Sequence, residues 1–194
     1  MSYSYKIEQA IRAAAVLHKD QVRRGLVPIP YVAHLYAVAT LISDYTEDED
    51  TIVAALLHDT IEDTDYTPRE LENDFGRNVA DIVLGVTETE NTEGADWATR
   101  KRKYLKQLKG APEASLIVSA ADKIHNMRNL IEEYYDAHAR FMKDFGGTLE
   151  ERVRVYQEIS NILNRRLKNP ILSEFNHVFE EYKKFIHHVQ TKQS

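Results

Sequence analysis

Apolar residues recur every three to four positions along most of this chain and almost nowhere alternate in twos, which is the period of amphipathic helices and not of half-buried strands. Ile7, Ile11, Ala14, Ala15 and Leu17 or His18 form one such stripe and predict a first helix over residues 5 to about 23, broken by Gly25, Pro28 and Pro30. Leu35, Val38, Ala39 and Ile42 face inward on a second, residues 31 to about 43. Thr46-Glu47-Asp48-Glu49 has the form of a capping box and predicts a third helix from 47 to about 61, through Ile52, Val53, Ala55, Leu56 and Leu57. Thr67-Pro68-Arg69-Glu70 is a second capping box with proline at the first helical position; its short helix stops before Gly76, and another runs from about 77 to 88. Residues 89–96 are polar, acidic and aperiodic, and read as a loop. Helix returns at 97–109, at 113–135, from the capping box Thr148-Leu149-Glu150-Glu151 to about 167, and from Asn169-Pro170 to about 189. No segment reads as a strand. The fold class is all-α, with about eight to ten helices in one compact domain spanning 1–194.

Composition narrows the chemistry more than the fold. The chain has 194 residues, enough for a sizeable core, with only 7 glycines and 5 prolines, as helices joined by short loops require. It has 0 cysteines, which excludes disulfides, thiolate catalysis and cysteine-based zinc sites. Any metal must then be held by histidine and oxygen donors. A net charge of −6 speaks against a duplex nucleic-acid partner, though not against a small phosphorylated ligand. No apolar run approaches the roughly 20 residues of a membrane span, and the polar start carries no secretory signal, so the cytoplasm is the expected location.

The chemistry concentrates in His58-Asp59-Thr60-Ile61-Glu62-Asp63, directly after the apolar Leu56-Leu57. So much polarity against a core-facing segment costs free energy unless the groups are paired, hydrogen-bonded or metal-bound. His58 and Glu62, and Asp59 and Asp63, stand four apart and would share helix faces if the helix continued. A solvated, acidic helix end would look similar taken alone. Two other segments bear on the choice. His34 sits on the amphipathic second helix, where a lone histidine is more often a hydrogen-bonded core residue than a ligand. Asp122 emerges from the small, apolar stretch Leu116 to Ala121, with Asn126 one turn on. A carboxylate there needs a partner, either a metal or an arginine such as Arg128 or Arg102.

A single histidine, then His-Asp, then a distant aspartate resembles the signature of the HD superfamily. The fuller pattern is similar to the hydrolase domain of the Rel/Spo alarmone enzymes and to the stand-alone small alarmone hydrolases. The matching segments are His18-Lys19-Asp20-Gln21-Val22-Arg23-Arg24-Gly25, Pro30-Tyr31-Val32-Ala33-His34, Ala54-Ala55-Leu56-Leu57-His58-Asp59-Thr60-Ile61-Glu62-Asp63-Thr64, Phe75-Gly76, and Ala121-Asp122-Lys123-Ile124-His125-Asn126-Met127-Arg128. The resemblance covers about residues 7–130, with the helices of 131–189 completing the fold. The chain departs from the pattern at Gly25 to Ile29, which is longer than the usual linker, and at Ser119-Ala120-Ala121, where lysine-leucine-alanine is usual.

The resemblance implies that His34, His58, Asp59 and Asp122 bind one divalent ion, manganese first, with iron or zinc as alternatives. It implies that Glu62 and Asp63 are the catalytic pair that positions or deprotonates water. It makes Arg23, Arg24 and Asn126 substrate-binding residues, although a solvated helix end would also place arginines at 23 and 24. His125 faces away from Asp122 by helical geometry and reads as structural. Arg100, Lys101, Arg102, Lys103 and Lys106 form a basic cluster that either guides a polyphosphate or is a solvated face. The implied activity is removal of the 3′-pyrophosphate of guanosine tetra- or pentaphosphate, as in the stringent response. The alternatives are an HD phosphohydrolase for another nucleotide, such as an adenosine alarmone or a reduced dinucleotide phosphate, and a non-catalytic metal-bound sensor. The partner is a small nucleotide, and a homo-oligomer is compatible with the stripe Phe175, Val178, Phe179, Tyr182 and Phe185, which otherwise serves core packing.

Overall fold

Every side chain from residue 51 to residue 57 is buried, so this stretch is enclosed on all faces and takes the centre of the fold. The structure is a computed structural model that describes residues 1–23, 27–88, 96–136 and 149–191. Around the central α3 (Glu49–Leu57) pack α1 (Tyr5–Leu17), α2 (Val32–Ile42), α6 (Arg77–Leu84) and α8 (Glu113–Asp136). A break at His58 and Asp59 separates α3 from the one-turn α4 (Thr60–Asp63), and α5 (Pro68–Phe75) packs on α6. Beyond α8, α10 (Ile171–Thr191) lies along it, and α9 (Leu149–Arg166) rests on α10 and on α7 (Trp97–Gly110). The all-α expectation holds. The aromatic stripe of α10 is buried within the chain, with Phe175, Phe179 and Tyr182 among its largest fully enclosed side chains.

Three readings of the chain differ from the structure. A short antiparallel pair, β1 (Val22–Arg23) with β2 (Ile29–Pro30), occupies a stretch where no strand was expected, with Val22 opposite Pro30 and Arg23 opposite Ile29. The first helix accordingly stops at Leu17, not near Arg23. Pro28 and Pro30 push the residues before them toward extended backbone. Two-residue strands are too short to leave an alternating pattern. The third helix starts on a different cap. The Asp48 carboxylate, not Thr46, accepts the Thr51 N–H, while the Thr46 hydroxyl accepts the N–H of Asp48. The capping box at Thr67 and Glu70 forms in both directions, a device typically worth about 1 kcal/mol. The expected box at Thr148 and the break at Gly146-Gly147 lie outside the described residues.

Two glycines fix how helices meet. Gly76 joins α5 to α6 with φ of 90°, a backbone conformation that side chains disfavour. At Gly85 a Cβ would fall 2.3 Å from Ser115 Oγ, so α6 lies against α8 with no room for a methyl group. Ser115 uses that closeness to donate to the Ile82 carbonyl at 2.8 Å.

Candidate metal centre

The centre forms where the C-terminal end of α3, the first turn of α2 and the middle of α8 meet. His58 ends α3, and its Nδ1 donates to the Ala55 carbonyl at 2.8 Å. In the neutral ring that leaves Nε2 bare, and this buried atom has no hydrogen-bond partner. His34 on α2 is 1% exposed, with its ring 5.2 Å from that of His58. Two carboxylates face the pair. Asp59 Oδ2 lies 3.7 Å from His34 Nε2 and 3.2 Å from His58 Nε2. Asp122 Oδ1 lies 3.3 Å and 3.8 Å from the same two atoms. Ligand atoms of His34, His58 and Asp59 fall within 4.8 Å of one another, close enough to share one ion.

Without a cation, the two imidazole nitrogens and two carboxylates converge on each other, and the carboxylate charges favour a proton on the pair. Burial opposes charging His58, but the charges of Asp59 and Asp122 and the Ala55 carbonyl together raise its pKa to about 9. Burial, the largest influence, lowers the pKa of His34. Burial opposes ionising Asp122, but the Lys123 charge and the two imidazoles that face it hold its carboxyl well below the usual range. Two imidazole nitrogens and two carboxylates in such a nest are a donor set that suits a divalent metal ion, which would give the orphaned nitrogen a partner.

Neighbouring groups orient the four. The Tyr31 hydroxyl donates to Asp59 Oδ2 at 2.6 Å. Lys123 pairs with Asp122 Oδ2 at 2.5 Å, and its ammonium stands 5.4 Å from the Tyr104 ring centre. The arginine partners considered for Asp122 go elsewhere: Arg128 pairs with Glu174, and Arg102 donates to Thr99. Asn126 donates to Asp122 Oδ1 and accepts from Arg23 at 3.0 Å, so Arg23 is tied to the centre through one amide. Arg24 lies outside the described residues. His125, read as facing away from Asp122, packs against His34. Its Nδ1 is 2.9 Å from Nδ1 of His34, and burial, with His34 and Arg23 nearby, depresses its pKa to about 4.

The two acidic residues after the His-Asp dyad separate. Glu62 lines the cleft of about 150 Å³ that holds His34, His58, Asp59 and Asp122. Its Oε2 accepts the Glu88 N–H at 3.1 Å. Burial and the charges of Glu88 and Asp59 push its pKa up to about 7, against the pull of that N–H. Asp63 lines a different cleft, of about 540 Å³, with Asp20, Gln21 and Tyr66. Its pKa is also raised, by burial and by Asp59. The helix break at His58 and Asp59 explains the split, since the i, i+4 pairing required an unbroken helix.

Beside the metal cleft lies an annex of about 240 Å³, sharing Glu88, Lys101, Tyr104 and Lys123 with it and adding Trp97, Arg152 and Tyr156. Of the basic cluster on α7, Lys101 lines both cavities and pairs with Glu88. Arg152 and Tyr156 carried no signal in the sequence, being an ordinary i, i+4 pair on α9. Lys123 had one, its place beside Asp122 in a buried stretch.

Residues 10–161 match the family described as the HD domain. This chain belongs to the HD domain family. Membership of this family implies a divalent metal ion. A Danio rerio relative, the guanosine-3′,5′-bis(diphosphate) 3′-pyrophosphohydrolase MESH1, is 33% identical over 163 residues, which cover 75% of this chain and 89% of that one. The bifunctional (p)ppGpp synthase/hydrolase SpoT of Escherichia coli K12 is 33% identical over 128 residues, 64% of this HD domain protein but 18% of SpoT. Among solved structures, a metazoan ortholog of SpoT that hydrolyzes ppGpp superimposes with a TM-score of 0.76 at 26% identity, covering 93% of this chain and 97% of the other. Among the described residues, no helix of this HD protein is long and apolar enough to cross a membrane.

Proposed function

We propose that this HD domain protein is a metal-dependent hydrolase that removes the 3′-pyrophosphate of guanosine tetra- or pentaphosphate. His34, His58, Asp59 and Asp122 hold the ion, and manganese suits their mixed nitrogen and oxygen donors, as iron or zinc would. The observation that carries the reading is the convergence of both Nε2 atoms on two carboxylates, with the His58 nitrogen buried and orphaned. When bound there, the ion would polarise a phosphoryl oxygen and lower the pKa of water.

The remaining chemistry belongs to the chain. Glu62, ionised in a substantial fraction near neutrality, takes a proton from the attacking water. The water oxygen forms a bond to the phosphorus attached to the 3′ oxygen, and the bond between that phosphorus and the 3′ oxygen breaks. Pyrophosphate leaves, and the 3′ oxygen becomes a hydroxyl by taking up a proton. Arg23, Arg24 and Asn126 hold the nucleotide on one side. Lys101, Lys123 and Arg152 supply cations for its phosphates on the annex side, where Trp97 and Tyr156 offer flat apolar walls. Asp63, one helical position after Glu62, shapes the field around Asp59.

The test is to load the protein with Mn²⁺ and offer guanosine and adenosine 3′-pyrophosphate nucleotides, nucleoside triphosphates and reduced dinucleotide phosphates. Pyrophosphate released from the guanosine alarmone, and lost in Asp59→Ala, is the expected result. Turnover of another nucleotide with none of any alarmone would overturn the substrate and keep the enzyme class.

A further inference from the structure

α8 brings Asp122 into the centre, and three residues later it brings His125 to the back of His34. The two Nδ1 atoms are 2.9 Å apart, with the ring centres at 4.8 Å. Two ring nitrogens that close share a single hydrogen, so one imidazole donates and the other accepts. Asn129, a turn further along α8, removes the ambiguity. Its amide Nδ2 donates to the same His125 Nδ1 at 3.3 Å. A nitrogen that accepts from Asn129 carries no hydrogen, so the hydrogen between the rings sits on His34 Nδ1. His34 Nε2 is then bare, and Nε2 is the atom that looks toward Asp59 and Asp122. His58 reaches the same state through a backbone carbonyl, which no side-chain substitution removes. The support for His34 is made of side chains and is open to mutation.

We propose that His125, biased by Asn129, is a positioning residue that locks His34 in the tautomer with Nε2 bare, and that the ion affinity of the centre depends on it. The second half rests on the reading of His34 as a ligand. Hydrogen-bond partners on the far nitrogen of a ligating histidine fix its ring and tautomer, and their loss typically weakens metal binding by about 10–100-fold.

Three measurements test it. In metal-free protein labelled with ¹⁵N-histidine, the His34 signals, identified by their loss in His34→Gln, should report a hydrogen on Nδ1 and none on Nε2. A hydrogen on Nε2 overturns the proposal. Mn²⁺ titrations then compare two replacements with opposite virtues. Phe fills the imidazole volume and accepts nothing, so His125→Phe should weaken binding by about 10–100-fold. Asn is smaller, but its Oδ1 sits at the δ position and accepts, so His125→Asn should stay within about threefold of the parent. The reverse order, Phe tight and Asn weak, would mean that His125 only fills space, and would overturn the proposal. Should His125→Phe fail to fold, the ¹⁵N spectrum of the parent protein still decides the tautomer. If the parent took up no Mn²⁺ while that spectrum showed Nε2 bare, the metal reading and the affinity claim would fall and the tautomer lock would stand.

Discussion

The metal cleft and the annex share a wall, yet they are built by different physics. The cleft is lined by buried groups whose partners are fixed by short range geometry: a backbone carbonyl for His58, a neighbouring lysine and an amide one turn away for Asp122, a histidine for His34. The annex is assembled from α7, α8 and α9, and its cations stand beside aromatic rings. A site that must bind an ion needs every acceptor in place before the ion arrives. A site that recognises phosphates tolerates looser placement, because charges act over longer distances. Substitutions in the cleft should therefore abolish function, and substitutions in the annex should grade it.

The largest effect tests the cleft directly. Asp59→Ala removes the carboxylate nearest His58 Nε2 and should eliminate both Mn²⁺ uptake and turnover, well beyond the about 10–100-fold of a lost orienting partner. Calorimetry on the metal-free protein measures the first and pyrophosphate release the second. Retained tight binding would mean that the ion sits elsewhere.

Next come the two acidic residues, where the comparison sharpens. Glu62→Gln should lower kcat by about 10²–10⁴-fold while leaving Mn²⁺ affinity close to that of the parent, as loss of a general base does. Asp63→Asn should cost much less in kcat, because Asp63 lines the separate cleft with Asp20 and Tyr66. Equal losses at both positions would show that the pair acts as a unit.

What was legible in the sequence follows the same division. The capping box at Thr67 and Glu70 could be read because both partners lie within one turn and no neighbour competes. The similar pattern at Thr46 misled because Asp48, two residues on, accepts the N–H that opens the helix. His58, Asp59 and Asp122 stood out as ionisable residues against apolar ones such as Leu56, Leu57, Ala120 and Ala121, but their grouping with His34 as ligands came from the resemblance to the HD superfamily. His125 was misread because positions three apart share a helix face, so it stands on the same side of α8 as Asp122, and a helical wheel says nothing of His34 on α2. The annex was hidden for the same reason: Arg152 and Tyr156 acquire meaning only once α9 lies against α7. Contacts within a turn are written in the sequence pattern, and contacts between helices are written in the packing.

The annex prediction is milder. Arg152→Gln should raise KM for the alarmone by about tenfold with kcat little changed, since one charge-assisted hydrogen bond to phosphate contributes about 1.5–3 kcal/mol in ground and transition state alike. Steady-state kinetics separates the two parameters. A fall in kcat at constant KM would move Arg152 into the chemistry and erase the distinction between the two cavities.

The smallest effect belongs to Glu88, which lies on the wall between them. After burial, its charge is the largest influence raising the Glu62 pKa to about 7, and its own carboxylate is paired with Lys101. Glu62 must be ionised to accept a proton, so activity rises with pH through its pKa and falls below it, by about tenfold for each unit of pH on the acid side. A bound cation favours the ionised form and sets the acid limb at or below that value. Glu88→Gln removes the repelling charge but keeps the backbone N–H that Glu62 accepts, so the limb should move further down, by less than about one pH unit. The pH profile of kcat in the parent and the variant reads the shift. An unmoved limb would mean that Lys101 already neutralises Glu88 and that the annex leaves the base of the metal cleft untouched. An upward shift would mean that the base is some group other than Glu62.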